Sequence, residues 1–453
     1  MKRKSEKFPT AHSRKSIQAS TGKFKDTMGK SLKAKDQAMI WHPFTQMKTH
    51  GDAVPIVKAK GAWLYDESGN KILDAVASWW VNTHGHSHPY IAERLAKQAN
   101  ELEHVIFAGF THPPAVELAE KLLPKLPEKH QKLFFSDNGS TAVEVALKMS
   151  FQYWFNQEKP RYKVLALKDS YHGDTFGAMS VSGRTSYSNP FEPNLFDALY
   201  ISSPGNTSEA EVVQQMEKIL KQEKIAAFII EPLVQGAEGM LMYSPETLDK
   251  LIAMARKNGA LIIADEVMTG FGRTGTFFAS DQLQNKPDII CMSKGLTGGT
   301  MALGLTSCTN EIYEVFYSND QLKTFFHGHS FTANPLACTA ALASLELFER
   351  ENTMEKVAGI AELHSIFAAE LKKHPSVENV RQCGSILAFD IYKAGEERNY
   401  FHSMRDTIYN YFLQKGILLR PLGNTLYILP PYCIAKEELQ WLYGEVLEFL
   451  DGI

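Results

Sequence analysis

The chain has 453 residues, 44% of them hydrophobic and 22% charged, with a formal net charge of −3. That is ordinary globular composition, long enough for about two or three domains, and so small a charge offers no special attraction to nucleic acid or to a membrane surface. The five cysteines (Cys291, Cys308, Cys338, Cys383 and Cys433) form no CxxC pair, which argues against a zinc site or a disulfide framework and for a reducing, cytoplasmic setting.

Residues 1–36 read as a disordered basic tail. They are rich in Lys, Ser and Thr, poor in acids and almost free of large apolar residues, so they cannot bury enough surface to fold alone. An organellar import peptide has a similar composition, although lysine outnumbers arginine here. Residues 37–80 follow as an N-terminal segment expected to pack with a small C-terminal domain. Within them Gly61–Asp74 reads as a hairpin, two alternating apolar runs around Glu67-Ser68-Gly69-Asn70.

Residues 81–340 alternate buried strands with helices. The expected strands are Lys132–Ser136, Tyr162–Leu167, Ile225–Ile230, Ala260–Ala264 and Pro287–Met292; helical spacing covers Ser140–Asn156 and Ser244–Asn258. Continuous apolar strands separated by helices predict an α/β domain with a mostly parallel sheet covered on both faces. Residues 341–453 read as a smaller α+β domain, with a helix at its start, strand-like pieces at Ser385–Ile391 and Thr425–Leu429, and a closing helix at Lys436–Leu450.

In such sheets ligands gather at the carboxyl ends of the strands, and several predicted ends carry polar motifs. Ser136-Asp137-Asn138-Gly139-Ser140 joins a strand to a helix, where backbone N–H groups and the Ser140 hydroxyl make either an anion cradle or a plain N-cap. Tyr171, in Tyr171-His172-Gly173-Asp174-Thr175, is an aromatic able to stack on a flat ring or to fill a turn. Glu231 closes one strand, as an arginine partner or in a simple turn. Asp265 closes another, and a buried acid there needs a partner: a helix N-terminus, or a pyridinium nitrogen. Lys294 follows the next strand among small residues. Burial disfavours the charged form of an amine, and a neutral amine can form a Schiff base. Each motif has an ordinary structural explanation on its own; their order on successive strands describes a pyridoxal phosphate pocket.

Ile262-Ile-Ala-Asp-Glu-Val-Met-Thr-Gly-Phe-Gly-Arg-Thr-Gly275, followed by Ser293-Lys294-Gly295, resembles the signature of class III (ω-type) aminotransferases of fold type I, and the resemblance covers nearly all of Trp41–Ile453. It implies a mostly parallel seven-stranded sheet, pyridoxal 5′-phosphate as cofactor, and a homodimer whose active sites are completed across the interface. By motif it makes Lys294 the catalytic Schiff-base lysine and Asp265 the pyridinium partner. Tyr171 would lie by the ring, Gly139 and Ser140 would hold the phosphate, and Gly328 and Ser330 of Phe326-His-Gly-His-Ser330 would complete that site from the neighbouring subunit.

Trp41-His-Pro-Phe-Thr-Gln-Met47, Ser78-Trp79-Trp80, the Tyr171–Met179 block, Gln235-Gly236 and Arg420-Pro421 narrow the resemblance. They match the branch that aminates 8-amino-7-oxononanoate to 7,8-diaminononanoate in biotin synthesis. Phe44, Trp79, Trp80, Tyr171, Lys294, Gly328 and Arg420 would then contact substrate, with Arg420 on its carboxylate, and Arg273 either near the pocket or structural. Members that use S-adenosylmethionine as amino donor carry tyrosine where this chain has Phe44, so S-adenosylmethionine and lysine both remain as donors. Other class III reactions, on ornithine, 4-aminobutyrate or polyamines, are the alternative. A regulatory pyridoxal-phosphate-binding protein would need a DNA-binding domain, for which the N-terminal tail is too short.

Overall fold

Seven strands between residues 130 and 309 pair into one sheet: β1 (His130–Ser136), β2 (Lys163–Leu167), β3 (Leu199–Ile201), β4 (Ile225–Ile230), β5 (Leu261–Asp265), β6 (Ile289–Met292) and β7 (Gly304–Thr309). They are seen in a computed structural model that describes residues 31–392 and 402–453. The spatial order is β1-β7-β6-β5-β4-β2-β3. Neighbours from β3 to β6 run parallel, and β7 alone lies antiparallel, wedged between β6 and β1. This is the seven-stranded, mostly parallel sheet that the family resemblance implied.

Every residue of β4, β5 and β6 is buried, as expected for strands with helices on both faces. Two strands carry too little apolar pattern to be read from the sequence. β3 has three residues, and β7 (Gly-Leu-Thr-Ser-Cys-Thr) is half polar yet wholly buried. Its hydroxyls are partnered inside the domain: Thr306 Oγ1 donates to Ala142 O at 2.8 Å, and Ser307 Oγ lies 2.8 Å from His130 Nδ1.

The small α+β part is a three-stranded antiparallel sheet, Val377–Cys383, Ile386–Ile391 and Thr425–Ile428, accompanied by helices Thr353–Leu371, Met404–Gln414 and Lys436–Asp451. The N-terminal hairpin pairs Trp63–Asp66 with Lys71–Asp74, and Ile417–Leu418 from the C-terminal region adds to it in parallel. The described residues divide into two units, one ending at Val57 and the other running Lys58–Ile453, so the boundaries expected at 80/81 and 340/341 fall within the second. Most of the 1–36 tail lies outside the described residues. Residues 32–36 are not disordered as expected: they begin a helix, Leu32–Met39, capped by Ser31, whose Oγ accepts from Ala34 N–H. No helix among the described residues is long and apolar enough to cross a membrane.

The hairpin leads into a tight turn. Ala77, Ser78 and Trp80 all have positive φ (48°, 60° and 64°), a conformation that costs a non-glycine residue about 1–3 kcal/mol. Arg273 holds the far side of this turn. Its guanidinium, 1% exposed, donates to Asn82 O at 2.9 Å and to Pro430 O at 3.0 Å, and its carbon lies 4.8 Å from the centre of the Tyr432 ring. This fastens the N-terminal turn to the C-terminal part of the chain. Replacing Arg273 by Met leaves two buried carbonyls without a charged donor, so the free energy of unfolding should fall by about 3 kcal/mol. Urea denaturation measures the loss, and a change below about 1 kcal/mol would contradict the structural role.

Candidate active site

The carboxyl ends of β4, β5 and β6 open onto a cavity of about 640 Å³, lined by Trp80, Ser140, Tyr171, Glu231, Asp265 and Lys294 among others. Asp265 is the last residue of β5 and is in register with Cys291 of β6, three residues before Lys294. Adjacent parallel strands therefore deliver the acid and the amine to the same place.

Lys294 opens a short 3₁₀ turn in left-handed backbone, φ 46°. Its amine reaches the cavity 4.7 Å from the centre of the Trp80 ring. Burial lowers its pKa from the usual 10.5 to about 8; the carboxylates of Asp265 and Glu231 pull the other way, and the Arg273 guanidinium adds to the lowering. The side chain keeps partial exposure, because it faces the cavity rather than sealed core.

Asp265 is buried, with His172 Nδ1 2.7 Å from Oδ2 and the Val267 N–H donating to Oδ1 at 3.1 Å. The carboxylate only accepts, so Nδ1 carries the proton; His172 Nε2 is buried without a hydrogen-bond partner. Glu231 pairs with no arginine among the described residues. Its two oxygens accept from the backbone N–H groups of Tyr171 and Gly236, each at 3.0 Å. Burial pushes this carboxyl up to about 7; nearby Asp265 raises it further, while His172 and the two backbone donors oppose the rise.

On the other wall, Asn138 caps the Gly139–Asn156 helix, accepting from Thr141 N–H at 3.0 Å while Thr141 Oγ1 accepts from Asn138 N–H at 2.9 Å. The leading N–H groups of a helix have no intrahelical acceptor, and Gly139 and Ser140 line the cavity. A Cβ on Gly139 would come within 2.7 Å of Val267 Cγ1. Asp174 N–H donates to Ser140 Oγ at 3.2 Å, and the Tyr171 hydroxyl donates to Asp174 Oδ2 at 2.9 Å. Burial and that acid hold the Tyr171 phenol well above its ordinary pKa. Between them Gly173 has φ +134°, and a Cβ there would sit 2.1 Å from Ser140 Oγ.

The structure thus brings Gly139, Ser140, Tyr171, Asp265, Lys294 and Trp80 to one cavity. Trp79 and Arg420 lie against each other, guanidinium carbon 4.2 Å from the ring centre, and are outside the lining. So are Gly328, which is exposed, and Ser330, whose carbonyl lies 2.8 Å from His104 Nε2. Phe44 belongs to the first unit and is 48% exposed. Arg273 is a structural cation away from the lining. The residue missed in the sequence is His172. It stands inside the Tyr-His-Gly-Asp motif, but nothing in its spacing showed that it reaches back to Asp265.

The family model for class-III aminotransferases matches residues 45–450, and the chain belongs to that family. It is an enzyme that transaminates. A relative from Synechococcus elongatus, an adenosylmethionine-8-amino-7-oxononanoate aminotransferase, is 47% identical over 91% of this chain and 99% of its own. The crystal structure of the enzyme of the same name from Methanocaldococcus jannaschii superimposes with a TM-score of 0.88 at 36% identity, covering 93% of this chain and 98% of that one. An amine transaminase from an uncultivated Pseudomonas species, solved in its PLP-bound form, gives 0.84 at 30% identity over 89% and 96% of the two chains.

Gly173→Ala has no room beside Ser140 and an unfavourable φ, so it should destabilise the protein by about 1–3 kcal/mol. Thermal unfolding tests this; an unchanged midpoint would contradict the close approach.

Proposed function

We propose that the protein converts 8-amino-7-oxononanoate to 7,8-diaminononanoate with pyridoxal 5′-phosphate as cofactor and S-adenosylmethionine or lysine as amino donor. The observation that carries the chemistry is the pairing of a desolvated amine, Lys294, with a buried carboxylate, Asp265, across one cavity. The substrate is inferred from that of the Synechococcus elongatus relative, 47% identical over nearly its full length.

The residues fit the cofactor. The Gly139–Ser140 helix start suits a phosphate. Asp265 suits a protonated ring nitrogen, and its bond from His172 Nδ1 fixes the carboxylate's direction. Tyr171 and Val267 offer an aromatic and an aliphatic face, and Lys294 supplies the amine that holds the aldehyde. Bound there, pyridoxal phosphate supplies a carbonyl to exchange amino groups and a protonated ring to accept the electron pair left on the substrate carbon.

In this reading the Lys294 amine would hold the cofactor aldehyde and, when free, would act as the positioned base of suitable pKa that moves a proton at the substrate carbon. Trp80 walls the slot for the aliphatic chain. Arg420, its guanidinium carbon 4.2 Å from the centre of the Trp79 ring, takes the distal carboxylate by a charge-assisted pair. Phe44 carries no hydroxyl and adds no hydrogen bond to donor or substrate. Gly328 and Ser330 act from a second copy of the chain in a homodimer, which agrees with their lying outside the cavity lining of their own chain. The setting is cytoplasmic.

Lys294→Ala should lose turnover by a factor on the order of 10⁴ while still binding the cofactor non-covalently; wild-type-like turnover of 8-amino-7-oxononanoate would remove the assignment. Only the neutral amine captures an aldehyde, and Lys294 is largely protonated below about 8. Cofactor capture by apo-protein, followed by its yellow absorbance, should therefore accelerate about tenfold per pH unit up to that point and level off above it. A flat profile across this range would contradict the lowered amine pKa.

A further inference from the structure

Asp74 ends the second strand of the N-terminal hairpin, is 0% exposed, and plays no part in the chemistry above. Its carboxylate accepts the Ser78 N–H at both oxygens, 2.9 and 2.7 Å, the Ser78 hydroxyl at 3.2 Å and the Val76 N–H at 3.2 Å. His86 Nε2 lies 2.8 Å from Oδ2 and must donate, since the carboxylate only accepts; Asn82 Nδ2 lies 3.3 Å from His86 Nδ1. A buried carboxylate spends all these bonds on one turn, in which Ser78 has φ 60° and ψ −87°. The two residues that follow point to the two ends of the site. The Trp80 indole lies 4.7 Å from the Lys294 amine and donates to the Tyr427 hydroxyl at 2.9 Å. The Trp79 ring lies 4.2 Å from the Arg420 guanidinium.

We propose that Asp74, backed by His86, is a positioning residue for the long-chain substrate: it clamps Ser78 in its positive-φ turn and thereby sets Trp80 beside Lys294 and Trp79 beneath Arg420. A residue other than glycine adopts such a turn only at a cost that its surroundings must offset. The carboxylate supplies that constraint from a buried position outside the cavity lining. Relaxing it lets the backbone return to negative φ and swings both indoles, which misaligns the slot between the amine and the carboxylate anchor while leaving Lys294, Asp265 and the helix start in place. The proposal rests on the reading of Lys294 as the reacting amine and Arg420 as the anchor.

The test is Asp74→Asn in the holoenzyme, assayed with 8-amino-7-oxononanoate and with a short amine donor half-reaction that does not span the slot. The expected result is a KM for the long acid at least tenfold higher, kcat within threefold, cofactor stoichiometry unchanged, and a short-amine half-reaction within threefold of wild type. An unchanged KM, or equal losses on long and short substrates, overturns the clamp. Should Asp74→Asn fail to fold, Ser78 decides: Ser78→Val must raise KM at least fivefold more than Ser78→Gly, and equal values overturn the proposal. If the wild type itself does not aminate the acid, the functional reading fails. The clamp is then judged from near-ultraviolet dichroism, where Asp74→Asn must change the tryptophan bands with the sign seen in Trp80→Phe; unchanged bands overturn it.

Discussion

An amine and two carboxyl groups share one cavity, and the rest of the structure follows from keeping them there. Lys294 alone would be driven far toward its neutral form by burial. Asp265 and Glu231 restrain that shift, and the balance leaves the amine near about 8, still able to carry or release a proton close to neutrality. The carboxylates are kept in place by donors of their own. Asp265 has His172 and Glu231 has two backbone N–H groups, so each acid is satisfied without an ion pair to Lys294 that would fix the amine in its charged form.

The parallel sheet makes this arrangement possible. Strands β4, β5 and β6 lie side by side and end at the same level, so their next residues meet without long loops. The opposite wall is a helix start packed so closely that Gly139 and Gly173 admit no Cβ. The close packing brings the backbone of this helix start up to the cavity lining. Some of the strained, positive-φ backbone lies at the cavity, at Lys294 and at Ala77, Ser78 and Trp80. In the turn, the Asp74 carboxylate holds Ser78 in this conformation, the kind of outside constraint such strain requires.

Much of this was legible in the residues. The five strong strands, the order of Ser140, Tyr171, Asp265 and Lys294 along them, and the cavity they form could be read because apolar runs and polar strand ends are local signals. β7 was not legible, since its Thr and Ser are buried through hydrogen bonds that only the folded partners supply. The destination of Glu231 was equally hidden: an acid after a strand says nothing about which backbone it will accept from. Arg273 shows the same limit. Its place in a motif ahead of Lys294 left the pocket open as its destination, while its contacts run to carbonyls 191 and 157 residues away in sequence.

The antiparallel β7 has a consequence for how the molecule comes into being. It joins β1 to β6, with Phe134 paired to Thr306, so roughly 170 residues must be synthesised before the first strand of the sheet meets its neighbour, a separation of the kind that slows folding. Until then the helix that would cradle an anion is tethered to an unpaired strand. The nascent chain therefore cannot assemble both walls of the cavity before β7 leaves the ribosome, and a cofactor that bridges those walls can stabilise the finished domain but cannot template its beginning.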